Sequence, residues 1–415
     1  MRGLVLNYRD YFKSSHKNIR VYLAIMLFAT VSVAAYDVLL SIYLKHIGFT
    51  EEIVGRILSL RTMGIALGAV PMAMVAERYS KKKALKAGLI IMLFCGMAMI
   101  NLKSLFMMEA AAIVFGIGHA TLMVLQAPIL YENSSDSHKV TAFSMAFVIQ
   151  NVAMVLSSFF LGHLSGALAQ QFNQTTGNLI VLNFATLLIV LPIVMTSYFS
   201  GESMTAQKND VGTRHQNIAG YRSVLKGRAL AYLLQVALVG VGAGMIVPFF
   251  SMYLKYSLEI SDGVVGTIMS ISQIGTIIGG LLVPAISKRF GQVKTVIICQ
   301  LMSIPFLISI SLPQGITLIT ISFFFRSSLM NMASPIIRSL SMEIIDKSER
   351  TYMSSLVSLT NNMFRAIGIY LGGIIMYTVG YNAPYYLTIL CYLLGTFVIY
   401  KVFGEMEDPV TSQSQ

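Results

Sequence analysis

The chain is cut into long apolar runs by short basic turns, and this alternation limits what it can fold into. The stretch "VAERYSKKKALKAGLII" at residues 75–91 sets one acid and five basic residues directly between two such runs. About 20 apolar residues span the hydrocarbon core of a bilayer. Runs of that order occur at 20–44, 54–76, 84–102, 107–131, 141–166 and 178–199. After a polar gap they resume at 227–255, 264–286, 294–312, 315–341, 352–377 and 380–403, twelve in all. Charged residues make up 12% of the chain, about half the share of an ordinary soluble protein. So few charges cannot coat a water-soluble domain of 415 residues. The expected class is an all-α membrane protein.

The net charge of +12 raises the question of a nucleic-acid partner. The distribution of the charge argues against one. With the spans above, the turns on one side of the membrane hold nearly all the Lys and Arg. The opposite turns offer Lys45, Lys103 and Lys255, with Arg56 close to that edge. This is the positive-inside pattern, which puts both termini in the cytoplasm of a cell-membrane protein. The apolar stretch after Arg20 runs into a full span, so it reads as retained and not as a cleaved signal. Cys95, Cys299 and Cys391 all fall inside spans and read as small apolar packing residues, with neither a disulfide framework nor zinc-ligand spacing.

The polar gap divides the spans six and six, which calls for a search for repeats. "IYLKHIGFTEEIVGRILSLRTMGIALGAV" (42–70) aligns with "MYLKYSLEISDGVVGTIMSISQIGTIIGGLL" (252–282), allowing one inserted residue. Tyr43 then meets Tyr253, Gly55 meets Gly266, Ser59 meets Ser270, Gly64 meets Gly275 and Gly68 meets Gly279. In the fourth and tenth spans Pro128 meets Pro335, and His119 meets Arg326. In the fifth and eleventh, Thr141 meets Thr351, Asn151 meets Asn361 and Gly162 meets Gly372. Three alignments in order imply a tandem duplication of a six-helix unit. The expected organisation is an N-terminal bundle at 1–199, a cytoplasmic linker at 200–226, a C-terminal bundle at 227–403 and a tail at 404–415.

With these features the sequence resembles the major facilitator superfamily, whose members are built from such repeats. The family carries Gly-x-x-x-Asp-Arg-x-Gly-Arg-Lys after its second helix. Here "AMVAERYSKK" sets Ala73 for the first Gly, Glu77 for Asp, Arg78 for Arg, Ser80 for the second Gly, then Lys81 and Lys82. The second copy, "PAISKRFGQV", keeps Arg289 and Gly291 but has Lys288 at the acidic position. The resemblance implies a gate at this turn. Glu77 is expected near the N-terminal end of the eleventh helix, where unpaired amides favour an anion. Arg78 and the lysines are expected to pair with Glu132, Asp136, Glu343 or Asp346. The alternative for the turn is a purely topological anchor. The fifth span lacks the proline-bearing motif of the family's drug–proton antiporters, and sugar-porter signatures are missing, so no substrate subfamily is assigned.

Charges inside a span are costly and usually face the interior or a water-filled path. Asp37 and Arg61 lie roughly 10–12 Å below the same membrane face at 1.5 Å per residue, a matching depth that fits an ion pair. The pair reads either as a proton-coupling site or as a permanent structural bridge. His119, Arg326 and Arg365 fall near the midplane. By resemblance, helices 1, 4, 7 and 10 line a central cavity there. Arg326 would offer a fixed cation to an anionic group. His119 would either titrate or make one helix–helix hydrogen bond. Asn361 and Arg365 share a face at i, i+4. Gln150, Asn151 and Gln273 add amides at similar levels.

The chain offers no phosphate-binding loop, no metal-ligand cluster and no paired acids in a soluble domain, so no cofactor is expected and an enzyme is not. The expected function is secondary transport of a small organic solute by alternating access, coupled to protons, with export as the first choice. The rivals are a metabolite importer or facilitator without proton coupling, and a lipid flippase or membrane sensor on the same scaffold.

Overall fold

Residues 15–135, 138–200, 225–312, 315–345 and 350–404 are described by the computed structural model. Twelve long helices account for nearly all of them, with no strand among the described residues. They are α1 (Lys17–His46), α2 (Glu51–Arg78), α3 (Lys81–Asn101), α4 (Leu105–Glu132), α5 (Lys139–Gln171) and α6 (Gln174–Tyr198). The second six are α7 (Gly227–Tyr256), α8 (Asp262–Phe290), α9 (Gln292–Ser311), α10 (Ile316–Glu343), α11 (Arg350–Thr378) and α12 (Ala383–Phe403). Of the expected linker, residues 201–224 lie outside the described residues, as does the chain after 404.

Eleven of the twelve helices are apolar and long enough to cross a bilayer. The exception is α11, which is 29 residues long. Its first half carries Ser354, Ser358, Asn361 and Arg365 at spacings that gather them on one face. Those residues lower its hydropathy without shortening it.

Two compact units form. Of the described residues, the first comprises those within 15–48, 60–200 and 261–266, the second those within 49–59, 225–260 and 267–404. In the first, α1 packs along α5, and α3 along α4. In the second, α7 packs along α11, and α9 along α10. These are the pairings that a duplicated six-helix unit requires. One hydrogen bond repeats with them: Tyr43 donates to the Ile100 carbonyl at 2.8 Å, and Tyr253 donates to the Ile310 carbonyl at 2.6 Å.

The repeat-matched glycines carry the closest crossings. A Cβ on Gly64 would lie 3.1 Å from the Gly116 Cα, and one on Gly275 would lie 3.2 Å from the Phe324 carbonyl carbon. Small residues let α2 approach α4, and α8 approach α10, at backbone distance, where van der Waals packing replaces the missing hydrophobic drive.

Both first helices of the repeat are broken at matching places. In α1 a π-helical turn occupies Tyr36–Leu40. In α7 a 3-10 turn at Val247–Phe249 follows Ile246, with Pro248 at its start. Proline removes a donor and clashes with the preceding turn, which accounts for the break in α7. No proline lies in the α1 turn, and π turns recur at functional sites.

Candidate functional site

The π turn holds Asp37. Arg61, on α2, places its Nη2 2.5 Å from Asp37 Oδ1. The Asp37 side chain is 33% exposed and that of Arg61 13%, so the carboxylate keeps part of its surface open while the guanidinium is mostly enclosed. Arg61 Nε and Nη1 are buried without a partner among the described residues. Only one edge of the guanidinium is therefore committed to Asp37.

His119 joins this pair. It stands on α4, which Gly64 and Gly68 bring against α2, and it lies within electrostatic reach of both Arg61 and Asp37. The sequence grouped His119 with Arg326 through the repeat, whereas the fold groups it with Asp37 and Arg61. Tyr36, next to Asp37, is anchored by a 2.7 Å hydrogen bond between its hydroxyl and Thr186 Oγ1 and by a ring contact with Phe115 at 4.9 Å. This anchoring fixes the side of the π turn that faces the interior of the unit.

Arg326 lies in the second unit, 5% exposed. Its Nη2 donates to the Tyr392 hydroxyl at 3.0 Å, and its guanidinium carbon sits 5.0 Å from the Phe250 ring centre. The other amides and cations expected at a binding site are spread over both units. Gln150, Asn151, Gln273 and Arg365 are half-buried, and Asn361 is exposed. Asn151 Nδ2 donates to the Phe147 carbonyl at 2.8 Å within its own helix.

The basic turn after α2 is tied down within its own unit. Lys81 pairs with Glu132 at the end of α4. Lys82 Nζ reaches the Ser197 and Phe199 carbonyls at 3.1 and 3.3 Å, at the C-terminal end of α6, where a cation complements the helix dipole. Ser80 caps α3 by accepting from the Lys83 amide at 3.0 Å. The guanidinium of Arg78 lies 5.8 Å from the centre of the Tyr79 ring, and that of Arg289 5.5 Å from the Phe290 ring. Asp136 and Asp346, and the side chains of Glu77 and Glu343, lie outside the described residues.

Two acids missed in the sequence stand at the ends of helices away from the basic turns. Glu51, 7% exposed at the start of α2, accepts from the Tyr381 hydroxyl at 2.5 Å within the second unit. Asp262, 1% exposed at the start of α8, accepts from Gln174 Nε2 at 2.8 Å within the first. The register that pairs Gly55 with Gly266 also pairs Glu51 with Asp262, and that match was the available signal. Each acid precedes a close glycine crossing: a Cβ on Gly55 would lie 2.9 Å from the Gly373 Cα, and one on Gly162 would lie 2.8 Å from the Gly266 Cα.

No curated protein sequence is significantly similar to the chain. Among solved structures, the nucleoside transporter NupG shares the fold with a TM-score of 0.77 at 14% identity, covering 94% of this chain and 100% of that one. A bacterial homologue of the iron transporter ferroportin, in an inward-facing state, gives 0.76 at 13%, covering 93% of this chain and 98% of that one. A bacterial homologue of the human lysosomal transporter Spinster gives 0.73 at 14%, covering 95% and 97%. At such identities the likeness is one of fold. A family model adds sequence evidence, matching residues 22–242 and 232–415 and so both copies of the repeat. The chain belongs to the Major Facilitator Superfamily.

Proposed function

We propose that this secondary transporter couples the movement of a small organic solute to protons, with Asp37 as the proton-carrying carboxylate. The observation that carries the reading is the Asp37–Arg61 pair: an ionisable group in a π turn, partly exposed, held by a cation that has further unused donors. A carboxylate inside a span needs either a partner or a proton. Alternation between the Arg61-paired state and a proton-bearing state would carry one proton per cycle, and His119 is near enough to respond to either state. Gln150, Asn151, Gln273, Asn361 and Arg365 are proposed solute contacts. The turn bearing Glu77, Arg78, Lys81 and Lys82, with Arg289 in the second copy, is proposed as the cytoplasmic gate, with Glu132, Asp136, Glu343 and Asp346 as its acidic partners. The setting proposed is the cell membrane, with both termini cytoplasmic and export as the direction.

The test is solute flux in proteoliposomes with and without a pH gradient of either sign, for wild type and Asp37→Asn. The variant is expected to lose gradient-driven flux while retaining solute exchange at equal pH. Full gradient-driven flux in Asp37→Asn would make the pair structural. The sign of the effective gradient reports the direction.

A further inference from the structure

The two halves treat their buried cations differently. In the first, Arg61 has a carboxylate in Asp37. The register that pairs Tyr43 with Tyr253 sets Val247 opposite Asp37, and the one that pairs Gly64 with Gly275 sets Ser272 opposite Arg61. Ser272 is occupied by a 2.6 Å hydrogen bond to Ser327. The second half instead buries Arg326 on α10, and no described carboxylate pairs with it.

The described contacts of Arg326 are neutral. Phe250 of α7 faces its guanidinium, and Tyr392 of α12 accepts from Nη2. Tyr392 is itself fixed, since Thr396 one turn on bonds back to the Tyr392 carbonyl at 2.7 Å and to Gln300 Oε1 at 2.8 Å. Tyr385 is stacked 6.4 Å from Phe250 and lies within electrostatic reach of Arg326. Two polar groups in this cluster, Arg326 Nε and the Tyr385 hydroxyl, are buried without a partner among the described residues. Both can donate. A ring face and a phenol oxygen offset part of the cost of a buried guanidinium, but neither supplies the opposite charge that such a group requires. A fixed cation with one unused donor of its own, and an unused phenol nearby, inside aromatic walls has the chemistry of an anion receptor.

We propose that Arg326 and Tyr385, between α7, α10 and α12 of the second unit, form a binding site for a small monovalent anion, either a halide or the carboxylate of an organic solute. The anion supplies to the second half the charge that Asp37 supplies to the first. This site is separate from the proton reading, and its test uses no gradient.

The experiment follows the melting temperature of the full chain in detergent while chloride, acetate or benzoate is titrated at constant ionic strength, with sulfate as the balancing salt. Wild type is expected to gain stability saturably with at least one monovalent anion. Arg326→Gln abolishes that gain. Tyr385→Phe removes one charge-assisted hydrogen bond and weakens the apparent affinity about tenfold. Asp37→Asn keeps the wild-type response, which separates this site from the proton-coupling site. A response to chloride alone identifies an inorganic ion. A response to carboxylates that chloride competes away identifies a carboxylate site. If Arg326→Gln does not fold, Tyr385→Phe still decides. A wild type without saturable dependence, or a Tyr385→Phe titration that superposes on it, overturns the proposal.

Discussion

Arg61 meets Asp37 with one terminal nitrogen at 2.5 Å while its other two nitrogens are buried without described partners. This geometry makes the two residues unequal. Removing the carboxylate leaves a charged guanidinium enclosed, whereas removing the guanidinium leaves a carboxylate with a third of its surface open. Asp37→Ala is therefore expected to destabilise the protein more than Arg61→Ala. Breaking a fully buried pair costs about 3–5 kcal/mol. With Asp37 one-third exposed, about 1–3 kcal/mol is expected for Asp37→Ala after allowing for screening. The double variant Asp37→Ala, Arg61→Ala should recover part of the loss. Thermal unfolding in detergent measures all four proteins. Additive losses in the double variant would show that the pair is not energetically coupled.

The fold was legible because its two strongest constraints are periodic: spans of bilayer length, and a repeat marked by glycines. Gly64, Gly68, Gly275 and Gly279 stood out in the alignment, and each lies at a backbone-close crossing. The Asp37–Arg61 pair was legible for a related reason, since matched depth on consecutive helices leaves few other partners. His119 was not legible in the same way. Depth does not reveal which side of a helix a residue occupies, and the α2–α4 crossing brings it towards Arg61. Glu51 and Asp262 drew no reading from the sequence, because they precede the expected spans at 54–76 and 264–286 and acids are common at helix N-termini. Their burial depends on tyrosine and glutamine side chains far away in the chain. The π turn left no trace in the sequence.

The glycine crossings make a sharp contrast testable. A Cβ on Gly64 meets the Ile113 carbonyl and comes 3.1 Å from the Gly116 Cα, both backbone atoms that cannot swing away. Gly64→Ala should cost about 1–3 kcal/mol, as overpacking does. Gly166 lies in α5, and the nearest atom to its added Cβ is the Gly263 nitrogen at 3.4 Å, an ordinary contact. Gly166→Ala should be neutral or stabilising by up to about 1 kcal/mol through helix propensity. Melting temperatures that fall equally in both variants would show that the crossing is not tight.

The contact between Lys81 and Glu132 lies at the protein surface, with Glu132 37% exposed. Lys81→Met should change stability by less than about 1 kcal/mol, and that little should vanish in high salt. An effect several times larger and insensitive to salt would point to a structural role beyond charge pairing.

The bond between Tyr381 and Glu51 predicts a pH dependence with a definite sign. Tyr381 lies in the turn between α11 and α12 and donates its proton to a carboxylate that is 7% exposed. To donate, the phenol must be neutral. Burial first, and then Glu51, hold it well above its ordinary value. In an unfolded chain a phenol titrates near 10, roughly. A group raised in the folded state contributes its stability in full below the unfolded value and loses it as pH climbs beyond. Wild type should therefore lose stability from about pH 10 upward, as the unfolded state gives up a proton that the folded state retains. Tyr381→Phe should cost about 1–3 kcal/mol at neutral pH, because Glu51 loses a donor in a buried setting. The difference between the variant and wild type should then narrow as pH rises past 10, roughly, since phenylalanine has no proton to release. Glu51→Gln should cost less at neutral pH, because its amide oxygen can still accept from the phenol. The check is a series of melting curves for the three proteins between neutral and alkaline pH. A gap between wild type and Tyr381→Phe that stays constant across the series would show that the phenol does not hold its proton through Glu51.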